Sequence, residues 1–127
     1  MKLSMKCVNI YVNMVFRCAE EKNGRRFSIC SCVRGGKHVY LATVINGVDQ
    51  VPVERHEVED HLIMLAKEVM NINLVHGFNR SKDLWRRLER DYGINRYELF
   101  KQLLGRDDLL EKVLPQHLQA LRLLMSL

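Results

Sequence analysis

Proline is almost missing from these 127 residues: there are two, Pro52 and Pro115. Glycine is limited to seven, tryptophan to one, and aromatic residues to 7% of the chain. With no Ser/Pro linker, internal repeat or low-complexity tract, the composition excludes a disordered or polyproline-type chain. No apolar run approaches the roughly 20 residues needed to span a bilayer. Met1–Lys6 is not followed by the apolar stretch of a secretory signal, so a cytoplasmic protein is expected, with no membrane among its partners. G-x-S-x-G, a phosphate loop, the dinucleotide-binding glycine pattern and the kinase signature are all absent. These absences weigh against an enzyme, and no cofactor or catalytic residue is expected.

What is present is a chain 47% hydrophobic and 28% charged, enough for one packed domain. Its net charge of +5 comes from 20 Lys and Arg against 15 Asp and Glu. Residues 1–48 carry +6, 49–76 carry −4, 77–106 carry +4 and 107–127 carry −1. Two basic blocks thus flank an acidic one, a pattern suited to phosphate backbones or an acidic protein.

Residues 7–18 alternate apolar and polar, which predicts a long half-buried strand. Glu20–Arg25, with Asn23-Gly24, reads as a turn. Phe27–Val33 reads as a second strand, Arg34-Gly35-Gly36-Lys37 as a tight turn, and His38–Ile45 as a third strand. The predicted fold class is α+β: a three-stranded antiparallel β-meander covered by an amphipathic helix and followed by a helical C-terminal half. The cover is residues 55–72, where Val58, Leu62, Leu65, Val69 and Ile72 form one stripe. Residues 1–76 are expected to hold the meander and its helix, and 77–127 the helical region, packed as one unit.

In that second half, Ser81–Tyr92 reads as a helix with Leu84, Trp85, Leu88 and Tyr92 inward. Gly93 stops it, and Asn95 caps the next helix, whose apolar face is Leu99, Phe100, Leu103 and Leu104. A last helical stretch starts at Asp107 or Asp108 and is interrupted or restarted at Pro115. Its leucines cover a wide arc, so a homodimer through this C-terminal helix is one expectation.

The cysteines, Cys7, Cys18, Cys30 and Cys32, all lie in the N-terminal third. Cys30-Ser-Cys32 lacks the knuckle of a zinc site, and buried or half-buried free thiols are favoured over zinc or a disulfide. His56 and His61 are five apart, about 140° around a helix, and cannot chelate one metal from it. No metal site is expected there. Glu57, Glu59 and Asp60 read as an acidic cluster favourable to a helix N-terminus. Tyr11, Tyr40 and Phe27 lie near basic strands and could form a sheet surface that stacks single-stranded bases.

Leu88–Phe100 resembles a helix-turn-helix. Used on nucleic acid, its second helix would present Arg96, Tyr97, Lys101 and Gln102 to base edges, while Arg80, Lys82, Arg86, Arg87 and Arg106 meet phosphates. One departure stands out. Helix-turn-helix families keep a small residue four before the turn glycine, where this chain has Glu89, expected to crowd or repel. In layout the chain also resembles the small accessory proteins of P2-like temperate phages and enterobacterial prophages. That resemblance implies an accessory protein acting by binding. The first expectation is a nucleic-acid-associated regulator using the basic helical hairpin. The second is a protein-interaction module, such as an inhibitor of a host defence or housekeeping protein, using the Tyr11/Tyr40 face or the C-terminal helix.

Overall fold

The computed structural model describes residues 20–24 and 26–127. The alternating 7–18 segment, and with it Cys7, Tyr11 and Cys18, lies outside the described residues. The chain is α+β, with five helices among the described residues. Chain contacts group it into two units. One combines residues up to Ile45 with Gln116–Leu127, and the other is Asn46–Pro115.

In the first unit, strands β1 (Glu20–Gly24), β2 (Phe27–Arg34) and β3 (Lys37–Val44) pair antiparallel in that order. The expected meander rested on a first strand over 7–18, so what holds is the β2–β3 hairpin and its turn. Gly35 and Gly36 there adopt φ of +57° and +76°, the two successive positive values that a two-residue hairpin loop requires. The predicted turn over 20–25 is displaced: Glu20–Gly24 is strand, and Arg26 takes a positive φ.

The cover over this hairpin is not the 55–72 helix. It is the last helix of the chain, Pro115–Met125, whose Ala120, Leu123 and Leu124 pack on Phe27, Ile29, Ala42 and Val44. Gln116 donates from Nε2 to the Ile45 carbonyl at 3.0 Å, fixing the start of that helix at the end of β3. Cys32 is a buried free thiol, as expected, but Cys30 is disulfide-bonded. Cys30 and Cys32 share one strand face, so their spacing could not tell which of them is bonded.

In the second unit, β4 (Val53–Arg55) pairs parallel with β5 (Phe78–Arg80), and helix α1 (Glu59–Met70) runs between them. α1 is shorter than predicted because Val53–Arg55 is taken by strand and Asn71 ends the helix in a left-handed conformation. Helices α2 (Ser81–Tyr92), α3 (Arg96–Lys101) and α4 (Asp107–Val113) follow. Pro115 separates α4 from α5, the Pro115–Met125 helix. That break divides the leucine arc expected for a homodimer. Leu109 and Val113 enter this unit's core, whereas Ala120, Leu123 and Leu124 serve the other, leaving Leu121 and Met125 exposed. The core here is Leu84, Trp85 and Leu88 of α2 against Ile63, Leu65 and Ala66 of α1, closed by Leu99 and Leu109. Each such side chain contributes roughly 1.5–3 kcal/mol when fully buried.

Candidate functional site

α2 and α3 are joined as the sequence predicts. Gly93, at φ +59°, donates its N–H to the Glu89 carbonyl and turns the chain. Asn95 Oδ1 accepts from the Glu98 N–H at 3.1 Å, capping α3. All nine basic or polar residues proposed for nucleic-acid contact lie in this unit. They do not form one free cationic surface.

Arg80, at the N-terminal boundary of α2, grips Glu57 with two hydrogen bonds of 3.2 and 2.9 Å. Arg87 donates to Asp91 one turn on, at 2.6 Å. Lys101 lies 3.5 Å from Glu98 and 4.5 Å from the Tyr97 ring centroid. Lys82 is half-buried, while Arg86, Gln102 and Arg106 are exposed. Arg96, the residue placed first at the bases, is the most engaged. It donates to both carboxylate oxygens of Glu89, at 3.0 and 2.8 Å, and its guanidinium stands 5.7 Å from the Trp85 ring centroid. Contrary to the expectation from the family pattern, Glu89 does not crowd the turn. It receives Arg96 across it and ties α3 back to α2.

The electrostatics follow these contacts. Hydrogen bonds from Arg96 hold the Glu89 carboxyl below the usual carboxylate range and raise Arg96, while partial burial opposes both shifts. Arg87 lowers Asp91 and Arg80 lowers Glu57 in the same way.

The second departure concerns which face of α3 is inward. Leu99 is buried and Leu103 half-buried against the core, as predicted. Phe100 and Leu104, predicted inward, point out, and so does Tyr92 at the end of α2. A helix of six residues buries one face, and 100° per residue sends positions 97 and 100 to the other, while Leu104 lies in the turn that follows and also faces out. Tyr97, Phe100 and Leu104 are accordingly 68%, 49% and 79% exposed. A groove of about 200 Å³ beside this helix is lined by Val69, Met70, Ile94, Asn95, Leu99 and Gln102.

A polar knot went unrecognised in the sequence. Asp60, read as part of a helix-terminal acidic cluster, is fully buried. It accepts from the Val48 N–H at 2.8 Å and pairs with His56 Nδ1 at 2.5 Å. His61 Nε2 accepts from the Gly47 N–H at 3.1 Å, so its Nδ1 carries the proton and donates to the Val113 carbonyl at 2.6 Å. Ser81, also buried, accepts from the Glu57 N–H at 3.1 Å. These side chains stitch the 46–48 loop, α1, α2 and α4 together. The i, i+4 spacing of His56 and Asp60 was the one visible signal. Among the described residues, no group of three or more His, Cys, Asp or Glu is arranged to hold a metal ion, and no helix is long and apolar enough to cross a membrane.

Comparison with known proteins gives no match to any family profile, curated protein or solved structure.

Proposed function

We propose that this chain acts by binding rather than by catalysis, and that α3 docks into a groove of a protein partner. The observation that carries the reading is the outward stripe of Tyr97, Phe100 and Leu104. Tyr97 and Phe100, at i and i+3, have the spacing with which an amphipathic helix enters an apolar groove, and Leu104 extends the stripe from the turn after α3. Aromatic anchors beside cations are also the composition of interface hot spots. The partner's groove is apolar with an acidic rim, facing Lys101 on the stripe and Arg106 just beyond it. The likeness to small phage accessory proteins makes a host protein the natural partner class.

Nucleic-acid binding through the same hairpin is the weaker reading. Arg80, Arg87, Arg96 and Lys101 already pair with carboxylates. Residues 46–115 also carry eleven basic against thirteen acidic side chains, a net of −2. The test is capture from a nuclease-treated bacterial lysate by the wild type and by Phe100→Ala/Leu104→Glu. A protein held by the wild type and reduced at least about tenfold by the variant is expected. Equal retention by both overturns the reading. Recovery of nucleic acid alone before nuclease treatment, abolished by Arg96→Ala plus Lys101→Ala, would restore the helix-turn-helix alternative.

A further inference from the structure

The face of the β2–β3 hairpin is covered at one end and open at the other. Phe27 pairs with Val44 and Ile29 with Ala42, and these four lie under α5. Two and four residues further along β2, Ser31 pairs with Tyr40 and Val33 with His38. By the two-residue alternation of strands they continue the same face toward the turn. There the cover stops: Val33 is 60% and Tyr40 40% exposed, and His38 is exposed.

The two rings on this open part are ordered. The planes of His38 and Tyr40 lie within 14° of parallel, with centroids 6.4 Å apart. That separation is close to two steps of the roughly 3.4 Å rise between stacked bases. The pair therefore offers near-parallel π-faces to a planar ligand, beside the exposed Val33 on the neighbouring strand. By sequence, residues 1–45 and 116–127 carry nine basic side chains against Glu20 and Glu21, a net of +7. Lys37, the residue between the turn and His38, is exposed, and a Cβ placed on Gly35 or Gly36 would meet nothing within 4 Å, so the backbone at the tip is open to approach.

We infer that the open end of this hairpin binds single-stranded nucleic acid, with one base stacked on the His38/Tyr40 pair and the adjoining phosphate near Lys37 and the glycine turn. A single strand is specified because a duplex presents base edges in its grooves and keeps the ring faces stacked inside. The sequence pointed to such a surface with Tyr11, Tyr40 and Phe27, of which Tyr11 lies outside the described residues. Phe27 is buried under α5, and His38 takes its place. This site is independent of the protein contact proposed for α3.

The experiment is fluorescence anisotropy of the full chain with a short labelled oligothymidylate, a duplex of equal length, and phosphatidylserine vesicles. The single strand is expected to bind preferentially. Tyr40→Ala is expected to weaken it about tenfold, the order of one lost base–aromatic stack, and Tyr40→Phe to retain it. Lys37→Gln is expected to lower the salt slope by about one. Both rings are exposed, so circular dichroism should show all variants folded. The inference is overturned if no single strand binds, if the duplex binds equally well, if only the vesicles bind, if Tyr40→Ala binds like the wild type, or if Tyr40→Phe shares its loss.

Discussion

Residues 46–115 and the stretches that form the other unit divide the chain's resources in opposite ways. The first has a large apolar core around Trp85, a buried polar knot and a net charge of −2, and several of its arginines are spent on internal carboxylates. The second carries +7, and its described hairpin rests under one helix that covers half of its face. A running charge average over the sequence does not find this division, because the 77–106 basic block sits in the acidic unit. A cluster of arginines in a sequence is an electrostatic surface only after its partners have been subtracted.

The contrast can be tested by breaking each unit at its own support. The largest effect is expected from Trp85→Ala, which empties the centre of the 46–115 core and should cost about 3–5 kcal/mol in urea unfolding. Amide exchange should show the loss in residues 46–115, and equal loss of protection in β2 and β3 would show that the units unfold as one. Asp60→Ala comes next. It leaves the buried Val48 N–H without its acceptor and should cost about 2–3 kcal/mol, read by the same denaturation.

Leu124→Ala acts on the other unit. Leu124 is only partly buried, so about 1–2 kcal/mol is expected, below the usual cost for a full core leucine. Exchange in β2 and β3 should rise while α2 stays protected. The smallest effect belongs to Arg96→Ala, whose exposed pair with Glu89 is worth less than about 1 kcal/mol. Its pH signature sharpens the comparison. Arg96 depresses the Glu89 pKa in the folded state, so the pair's stabilisation is present above the ordinary glutamate value and is lost as pH falls through the lowered one. The stability difference between wild type and Arg96→Ala should therefore be flat at neutral pH and shrink in acid.

Much of the architecture was legible where local chemistry decides it. Ser81–Tyr92 has its boundaries as read, because an apolar stripe ends at a glycine suited to a left-handed stop. The Asn95 cap and the Gly35-Gly36 turn are equally local. Which helix covers the sheet was not legible, since Leu62, Leu65 and Val69 of one helix and Leu123 and Leu124 of another are equally apolar on paper. The orientation of α3 failed for the same reason: with apolar residues at 97, 99, 100, 103 and 104, period alone does not choose the buried side. Glu89 was noticed for the right reason and given the wrong consequence, because its partner lies seven residues away across a turn.

The hairpin turn has a consequence for how this protein can change over time. Gly35 and Gly36 set the registration of β3 against β2, and sidedness along a strand is a matter of odd and even. Adding one residue to the loop while the pairing shifts by one would exchange the odd and even positions of β3. His38 and Tyr40 would move to the reverse side and Lys37 and Val39 would take their places, with no site residue altered. Adding two would restore the original sides. The aromatic pair is thus guarded by the parity of a loop length, and insertions there should be tolerated in twos and lost in ones.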